Sequence, residues 1–286
     1  MRIHHLNCGT HCPVGGAFFD GTSRGLFANI CTHCLLIEAN SGLVLVDTGY
    51  GLQDVFSRPR RRLAYTWPAV LNTRLSEADT AIRQVEAQGF SANDVRHIIL
   101  THLDFDHAGG VEDFPQARVH VLTAERDAAE HGKRGFVARQ RYRPLDWDDV
   151  QDWRTYAATG EAWHGFDAVR DLDGLPPEIL LVPLAGHTLG HAGVAIRTET
   201  GWLLHAGDAY LHRSSIADGT GMPAGLAIYE RIMMTDPAAA KRNVARLRDL
   251  HRTHPEIAIM CSHDRRELDA LTIAAARQYS SKQIRG

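Results

Sequence analysis

Short apolar runs recur along the chain, and most are followed by a loop that carries histidine or aspartate. The runs occupy residues 43–46, 98–100, 179–182, 202–204 and 257–260. Runs of this length, bounded by polar and turn-forming residues, predict buried strands. Side chains that perform chemistry often lie on loops held by a rigid sheet. The pattern therefore predicts a sheet protein whose polar loops follow the strand ends.

Helix-like segments alternate with these strands. Ser76 opens a segment in which apolar residues recur at helical spacing until Gly89, and Asp79 gives its start the character of a capping box. Further helices are predicted from Thr123, over 236–251 and over 265–278. The alternation predicts an α/β protein with helices on the faces of the sheet, although periodicity alone allows any α/β layering.

The segment after residues 98–100 concentrates metal-binding side chains. His102, Asp104, Asp106 and His107 lie within six consecutive positions. A flat strand would send the first three to one face and His107 to the other, so the chain must curl if all four bind metal. Imidazole and carboxylate together suit zinc, iron, manganese or cobalt. The spacing favours two metal ions over one, and a polar surface turn is the alternative.

Three later loops offer the ligands that two metal sites would still need. His187 and His191 follow the run at 179–182, Asp208 follows 202–204, and His263 follows 257–260. Four strand-to-loop junctions with histidine or aspartate are unusual by chance, so a metal centre is favoured over the surface turn.

This order of motifs resembles the metallo-β-lactamase superfamily, whose usual first motif is His-x-His-x-Asp-His, and the resemblance covers most of the chain. Asp47-Thr48-Gly49 is similar to the superfamily's early Asp-Thr-Gly turn, and the segments at 12–16 and 18–21 resemble its N-acyl homoserine lactonase branch. The resemblance implies an αββα sandwich, with two mixed β-sheets packed face to face and helices on both outer faces. Residues 1–286 are expected to form a single domain of this fold.

The resemblance also implies a set of ligands. His102 and His187 would bind the first metal, and Asp106, His107 and His263 would bind the second. Asp208 would bridge both ions, and His191 would orient a ligand without binding metal itself. Two divalent ions are the implied cofactors, with zinc the usual metal of the superfamily.

Asp104 departs from this pattern, because the superfamily's second histidine is an aspartate here. A third carboxylate should weaken the pull of the metals on a bridging water and favour harder ions, so iron or manganese joins zinc as a candidate. The flavodiiron proteins of the same superfamily similarly carry a carboxylate at this place. The alternative is that Asp104 does not bind, which leaves one site weak or empty.

The resemblance implies hydrolysis of a small ester, most plausibly an acyl homoserine lactone-like lactone, by hydroxide held between two metals. Asp106 would pass a proton to the leaving alkoxide, and Tyr210 would donate to the developing oxyanion, although its offset from Asp208 is one residue shorter than in the lactonases. Thioesters, β-lactams and organophosphates remain alternative substrates. An iron-dependent redox or dioxygenase-type enzyme acting on a thiol-bearing substrate is the alternative function, and a protein that binds metal without turnover is a third.

Composition limits the partners. The chain has 286 residues and a net charge of −3, and it lacks a basic stripe, which disfavours nucleic acid. No apolar run approaches the ~20 residues of a membrane helix, and the start lacks a secretory apolar segment, so a cytoplasmic enzyme with a small-molecule substrate and no membrane partner is predicted. The branch resemblance suggests a homodimer.

Two stretches interrupt the alternation of strands and helices. Residues 52–75 and 134–166 carry many aromatic residues, which can line an apolar pocket or pack on the core. The second stretch is predicted to be a lid-like excursion.

The cysteines are also open to two interpretations. Cys8 and Cys12 with Cys31 and Cys34 have a spacing that suggests a zinc site. However, residues 31–38 predict a strand that would turn Cys31 and Cys34 to opposite faces, so buried reduced thiols are preferred to a zinc site or a disulfide.

Overall fold

The structure is a computed structural model that describes residues 1–57, 70–131, 136–166, 170–217 and 221–283. Its strands are β1 (Arg2–His11), β2 (Ile30–Ala39), β3 (Gly42–Val46), β4 (Thr73–Arg74), β5 (Val95–Ile99), β6 (Arg118–Leu122), β7 (Trp153–Tyr156), β8 (Arg170–Asp171), β9 (Ile179–Pro183), β10 (Ala192–Thr198), β11 (Gly201–His205) and β12 (Ile257–Met260). Its helices are α1 (Ala17–Asp20), α2 (Leu52–Phe56), α3 (Ala81–Ala87), α4 (Phe105–Ala108), α5 (Thr123–His131), α6 (Phe136–Arg141), α7 (Ala224–Met233), α8 (Pro237–Thr253) and α9 (Arg265–Gln283).

The strands of the described residues form two mixed sheets. The first has seven strands in the order β4-β1-β2-β3-β5-β6-β7, and the second has five in the order β12-β11-β10-β9-β8. Strands β3, β5, β6 and β7 run parallel to one another, as do β11 and β12, whereas the other pairs are antiparallel. Because parallel strands end at the same edge, the loops after them are brought together.

Alternate residues of the strands separate into an inner and an outer core. On β2, Leu35 and Ile37 point between the sheets, where they join Leu181 and Val194 of the second sheet. Leu36, between them in sequence, joins the cluster on the outer face of the first sheet. Each fully buried side chain of this kind contributes about 1.5–3 kcal/mol by leaving water. The face-to-face packing of the sheets thus follows from the period of two in the sequence.

Helices cover the outer face of each sheet. Ala81 and Val85 of α3 pack on the first sheet, and Leu247 and Leu250 of α8 pack on the second. The αββα sandwich that the resemblance implied is therefore confirmed.

Most predicted elements have the expected type, but their boundaries differ. The strand predicted at 257–260 coincides with β12. The helix predicted from Ser76 begins only at Ala81, after a 3₁₀ turn over Glu77–Asp79, and the Ser76 side chain makes no capping hydrogen bond. Asp236 does cap α8, because its carboxylate accepts the backbone N–H groups of Ala238 and Ala239.

The two interrupting stretches lie partly outside the described residues. Arg58, Arg60, Tyr65 and Trp67 of the first stretch, and the start of the second at 134–135, lie outside the described residues. The rest of the second stretch supplies α6 and the edge strand β7 of the first sheet. Its role as a lid stays a prediction.

All five cysteines lie in the described ranges, where they are buried and none forms a disulfide. The expected opposite orientation within β2 is also observed, since Cys34 joins the outer core, whereas the Cys31 thiol faces the carbonyl of Ser262. Buried thiols, the preferred interpretation, match this arrangement. No helix within the described ranges has both the length and the apolarity to cross a membrane.

Candidate metal centre

Four loops meet at one edge of the sandwich and bring the predicted ligands together. The first motif follows β5, His187 follows β9, Asp208 follows β11 and His263 follows β12. These side chains are all buried. Among the described residues, three sets of side chains have ligand atoms within 4.8 Å of one another, close enough to hold a metal ion. They are His102, Asp104 and His187; His102, His107 and Asp208; and His11, Asp106 and His263.

One half of the cluster, which we call the Asp104 half, contains His102, Asp104 and His187. The Oδ2 atom of Asp104 lies 3.4 Å from Nε2 of His102 and 3.1 Å from Nε2 of His187. Two imidazole nitrogens thus converge on one carboxylate oxygen. Asp104, the residue that departs from the family motif, occupies the centre of this half.

The other half, the Asp106 half, contains Asp106, His107, His263 and also His11. Oδ2 of Asp106 lies 3.7 Å from Nε2 of His263 and 3.1 Å from Nε2 of His11, and Oδ1 lies 4.0 Å from Nε2 of His107. This half therefore has one more imidazole than the sequence predicted.

Asp208 lies between the halves. Its carboxylate is 3.9 Å from Nε2 of His102 and 3.5 Å from Nε2 of His187 on one side. On the other side it is 3.4 Å from Nε2 of His107 and 3.2 Å from Nε2 of His263. A carboxylate shared in this way is the arrangement expected of a ligand that bridges two cations.

Buried polar atoms at the centre of the cluster fit divalent cations. Nε2 of His102, Nε2 of His107 and Oδ1 of Asp208 have no hydrogen-bond partner among the described residues. Leaving such atoms unpaired in the interior costs about 1–3 kcal/mol each, and a bound cation would satisfy them. Imidazole nitrogens and carboxylate oxygens are the donor set of zinc, iron and manganese sites.

Protein groups fix the second ring nitrogens of His263 and His107. Nδ1 of His263 donates to the carbonyl of Cys31 at 2.8 Å. Nδ1 of His107 lies 2.8 Å from the carboxylate of Asp47, which also accepts the backbone N–H and the hydroxyl of Thr101. A proton held on Nδ1 leaves the Nε2 lone pair facing the cluster, which is the tautomer that binds metal.

His191 differs from these imidazoles because backbone groups occupy both of its nitrogens. Nδ1 donates to the carbonyl of Leu184 at 3.1 Å, and Nε2 accepts the backbone N–H of Asp208 at 2.8 Å. His191 thus holds the backbone of Asp208 in place, which is consistent with the orienting role predicted for it.

Arg141 offsets the charge of Asp104. Nε of Arg141 lies 3.2 Å from Oδ1 of Asp104, and both side chains are buried. The guanidinium also donates to the carbonyls of His187, at 2.8 Å, and Met233. Burial favours a neutral Asp104, but Arg141 and His102 outweigh it and hold its pKa well below the usual value.

Burial and neighbouring charges also shift the pKa values of the imidazoles. Burial lowers the pKa of His107, but the carboxylates of Asp208 and Asp47 more than offset this and raise the pKa to about 10. Burial and the nearby Arg141 guanidinium lower the pKa of His187 to about 4. In the absence of a cation, protonated His107 thus balances part of the carboxylate charge.

Glu125 joins two of the ligand loops. Its Oε1 accepts the backbone N–H of Leu103 at 3.0 Å, and its Oε2 accepts the hydroxyl of Thr188 at 2.6 Å and the N–H of Gly190 at 3.2 Å. Glu125 is fully buried at the start of α5. It therefore fixes the loop of the Asp104 half against the loop that carries His187.

Tyr210 does not face the cluster. Its hydroxyl donates to the carboxylate of Glu267 at 3.1 Å, and its ring lies in the core outside the second sheet. The role of oxyanion donor predicted for Tyr210 would require it to leave this contact, so we do not retain it. The one-residue change in its offset from Asp208 is the sequence signal of this difference.

An apolar pocket lies against the Asp106 half. His11, Asp106 and His263 form its polar side, and Leu71, Leu226 and Tyr229 are among the residues that line the rest. Burial, and then the three carboxylates of the cluster, raise the pKa of Tyr229 well above its usual value. Tyr229 therefore carries a phenol that remains protonated beside the candidate centre.

Sequence reasoning missed His11, Glu125, Arg141 and Tyr229. His11 lies in the segment Cys8-Gly9-Thr10-His11-Cys12, whose two cysteines indicated buried thiols or a separate zinc site. Arg141 and Tyr229 lie outside the motifs, and only tertiary structure brings them to the cluster. The extra carboxylate at Asp104 was the available signal, because a buried third carboxylate calls for a cation.

Comparisons with known proteins agree with this geometry. The family model described as Metallo-beta-lactamase superfamily matches residues 32–275. A probable metallo-hydrolase of Mycobacterium tuberculosis is 40% identical over 265 residues, which cover 92% of this chain and 80% of the relative. An N-acyl homoserine lactonase of Bacillus thuringiensis is 25% identical over 263 residues, which cover 88% of this chain and 91% of the relative.

Solved structures show the same fold. A mutant of B. thuringiensis AiiA, with N-decanoyl-L-homoserine bound at its active site, aligns with a TM-score of 0.70 at 21% identity and covers 94% of this chain and 95% of that one. AidC, a dizinc quorum-quenching lactonase, aligns with a TM-score of 0.59 at 17% identity and covers 91% of this chain and 86% of that one. From the family match and the 40% identical relative, the chain belongs to the metallo-beta-lactamase superfamily, as one of its metallo-hydrolases.

Proposed function

We propose that this metallo-hydrolase holds two divalent ions and opens lactones or other small esters that carry an apolar chain. The position of Asp208 carries the proposal, because its carboxylate lies within 3.9 Å of imidazoles from both halves of the cluster. A single-ion site would need only one of the two groups of ligands that Asp208 joins.

The proposed ligands follow the two halves. His102, Asp104 and His187 hold the first ion, Asp106, His107 and His263 hold the second, and Asp208 serves both. Two divalent ions, when bound, lower the pKa of a water molecule and polarise the carbonyl of an ester. No serine or cysteine nucleophile is needed at such a site.

The side chains around the ions have separate roles. Asp106 borders both the cluster and the apolar pocket, which suits the transfer of a proton to the leaving alkoxide. Tyr229 also lines the pocket beside Asp106, so we assign to it the role of donor to the developing oxyanion in place of Tyr210. Arg141 and Glu125 hold the Asp104 half in position.

Arg141 also changes the expectation for metal identity. Asp104 suggested a harder ion than zinc, because it adds a third negative charge to the cluster. Once the buried guanidinium is counted, the net charge of the cluster equals that of a site with two carboxylates. We therefore propose zinc as the bound metal, with iron and manganese as the alternatives. Metal analysis of the purified protein distinguishes the three.

The apolar pocket supports an acyl or alkyl chain as part of the substrate. Its lining beyond the cluster is largely hydrocarbon, from residues such as Leu71, Leu211 and Leu226. The cavity measures only about 20 Å³, so it suits the first carbons of such a chain, and a longer chain would have to extend beyond this lining. The lactonases among the similar proteins support the same substrate class.

Metal analysis combined with a substrate panel tests the proposal. We expect two ions per chain and pH-indicator turnover of acyl homoserine lactones. Asp208→Asn should lose at least one ion and reduce kcat/KM by at least about 100-fold, because it removes a shared ligand and not merely a residue that orients one.

Asp54→Asn is the matched control, since Asp54 is a buried aspartate outside the groups of potential ligands. It should retain both ions and turnover. Full lactonase activity in Asp208→Asn would contradict the proposal, as would a metal-loaded wild-type protein that is inert to every lactone and ester in the panel.

A further inference from the structure

His11 approaches the Asp106 half from a strand that contributes no other predicted ligand. It is the last residue of β1 and pairs with Ile30 of β2 and with Thr73 of β4. Only 2% of its surface is exposed. The register of β1 shifts between Asn7 and Thr10, and such bulges often re-aim a side chain next to a functional site.

Glycine is required within this bulge. Gly9 has a φ of 149°, and a Cβ atom there would lie 2.6 Å from the ring of Tyr50. The backbone therefore adopts a conformation that most residues disfavour, two residues before His11. The local distortion and the inward direction of His11 belong to the same short segment.

The two nitrogens of His11 are arranged like those of His263. Nδ1 of His11 lies 3.0 Å from the hydroxyl of Thr73, and Nε2 faces Oδ2 of Asp106 at 3.1 Å. In His263, Nδ1 donates to a carbonyl and Nε2 faces the same carboxylate oxygen at 3.7 Å. A histidine that donates from one nitrogen to a protein oxygen and directs the other into the site has the arrangement of a metal ligand.

The separations also suit a shared ion. Ligand atoms bound at about 2.0–2.2 Å to one ion lie roughly 2.8–3.6 Å apart when they are neighbours in octahedral or tetrahedral geometry. His11 and Asp106, at 3.1 Å, fall within this range, and His263 and Asp106, at 3.7 Å, lie at its edge. Nε2 of His11, a carboxylate oxygen of Asp106 and a ring nitrogen of His263 all lie within 4.8 Å of one another.

We propose that His11 is a fifth imidazole of the metal centre and binds the same ion as Asp106 and His263. This inference rests on the proposed dinuclear centre and adds a ligand to it. The first ion would then have four protein ligands, and the second would have five. The His-x-Asp-x-Asp-His motif and the three later loops do not include this residue.

Cobalt(II) binding to the intact protein tests the assignment. The wild-type protein, His11→Gln and His11→Met are loaded with cobalt(II). The bound cobalt is counted, affinities are measured by competition with a chelator, and strongly hyperfine-shifted exchangeable imidazole N–H signals are counted by proton NMR. His120→Gln is the control, because His120 is equally buried but bonds to His97 and Tyr156, away from the cluster.

We expect two cobalt ions and five strongly shifted N–H signals in the wild-type protein and in His120→Gln. His11→Gln should lose one signal and bind one of its ions at least about tenfold more weakly, while the other ion is unaffected. The glutamine amide that His11→Gln introduces can still donate to Asp106, so a loss of affinity separates ligation from hydrogen bonding.

Other results would overturn the assignment. Two ions with four shifted signals in the wild-type protein would mean that His11 only donates to Asp106, and the dinuclear centre would stand without it. Unchanged affinities in both His11→Gln and His11→Met would also mean that His11 is not a ligand. Fewer than two ions in the wild-type protein would overturn the dinuclear centre together with the assignment. The wild-type signal count decides the question even if a variant fails to fold.

Discussion

The Asp104 half and the Asp106 half of the candidate centre have the same plan but different supports. In each, a buried carboxylate oxygen is approached by two imidazole nitrogens at 3.1–3.7 Å. The other oxygen of Asp104 pairs with Arg141, whereas the other oxygen of Asp106 lies 4.0 Å from Nε2 of His107, a third imidazole. An arginine is always charged and cannot bind a cation, whereas a neutral imidazole can. The difference suggests that one half is stabilised by a fixed charge and the other by an extra ligand.

The halves also differ in what lies beside them. Asp106 borders the apolar pocket, whereas Asp104 is enclosed by Arg141 and by the loops that Glu125 joins. We therefore expect the Asp106 half to act in proton transfer and the Asp104 half to act mainly in holding an ion.

Parallel substitutions of the two carboxylates test this division, and their effect on activity is the largest we expect. Asp106→Asn should reduce kcat by about 10²–10⁴-fold, because it removes a proton-transferring group as well as a ligand. Asp104→Asn should cause a smaller loss that saturating metal partly restores. Steady-state kinetics on one lactone, with and without added metal, provide the comparison. Equal losses that metal restores equally would mean that the halves are equivalent.

Removing Arg141 should destabilise the metal-free protein strongly. Arg141→Met leaves Asp104 as a buried charge without its cation, which typically costs about 3–5 kcal/mol. Urea unfolding of the metal-free protein measures this change, and Arg139→Met is the control, since Arg139 is exposed on the same helix α6. A loss below about 1 kcal/mol would show that Arg141 does not stabilise Asp104.

A double variant sharpens the same test. Asp104→His restores the usual motif of the superfamily but leaves Arg141 without its carboxylate. Asp104→His combined with Arg141→Met should be more stable than the sum of the single effects predicts, by about 0.5–3 kcal/mol. Strictly additive effects would mean that the two residues are not energetically coupled.

Glu125→Gln should affect only the Asp104 half. Both oxygens of Glu125 accept hydrogen bonds from the two loops, whereas a glutamine amide has one oxygen that accepts and one NH₂ group that only donates. At least one hydrogen bond to a loop is therefore lost. We expect one ion to bind about 10–100-fold more weakly and the other to keep its affinity. Chelator competition measures both affinities, and Glu130→Gln on the exposed side of α5 is the control. Equal weakening of both ions would show that Glu125 supports the whole domain.

An imidazole pair away from the carboxylates provides the reference for pH effects. Burial, and then His97, lower the pKa of His120 to about 3, below the value of about 6.5 in an unfolded chain. The unfolded chain therefore binds a proton that the folded state excludes between these two pH values. The stability from a neutral His120 is complete above about pH 6.5 and declines as the pH falls towards 3.

The size of this effect follows from the same shift. At pH 5 the loss should be about 2 kcal/mol relative to pH 7.5, and His120→Gln should lack that part of the pH dependence. Urea unfolding of both proteins at the two pH values measures it. Identical pH dependence in the two proteins would show that His120 does not remain neutral in the fold.

The sequence was sufficient to predict the elements that have a clear pattern of apolar and polar residues. β12 and the strand β3 are short apolar runs, and the cap residue Asp236 precedes an amphipathic helix. Strand β1 was missed because its sequence includes several histidines and a glycine, although many of these residues are buried in the structure. The sequence alone does not distinguish a buried histidine from an exposed one.

The site residues that lie within sequence motifs could be predicted, and those outside the motifs could not. His102, Asp106 and Asp208 follow strands in a recognisable order, and the structure brings them together. The contact of His11 with Asp106 spans 95 residues, and Arg141 reaches Asp104 from a helix outside the motifs. Such pairings depend on how the elements pack, which local periodicity does not encode. Tyr210 shows the converse, since a position only one residue from that of the lactonase tyrosine did not place its hydroxyl at the cluster.

Anomalous diffraction from crystals grown with cobalt(II) tests the central claim most directly, because it locates each ion independently of activity. We predict two anomalous peaks separated by about 3.5–4 Å, with the carboxylate of Asp208 between them. One peak should lie against the Asp104 half and the other against the Asp106 half. A single peak, or ions that leave either half empty at saturating cobalt, would contradict the account.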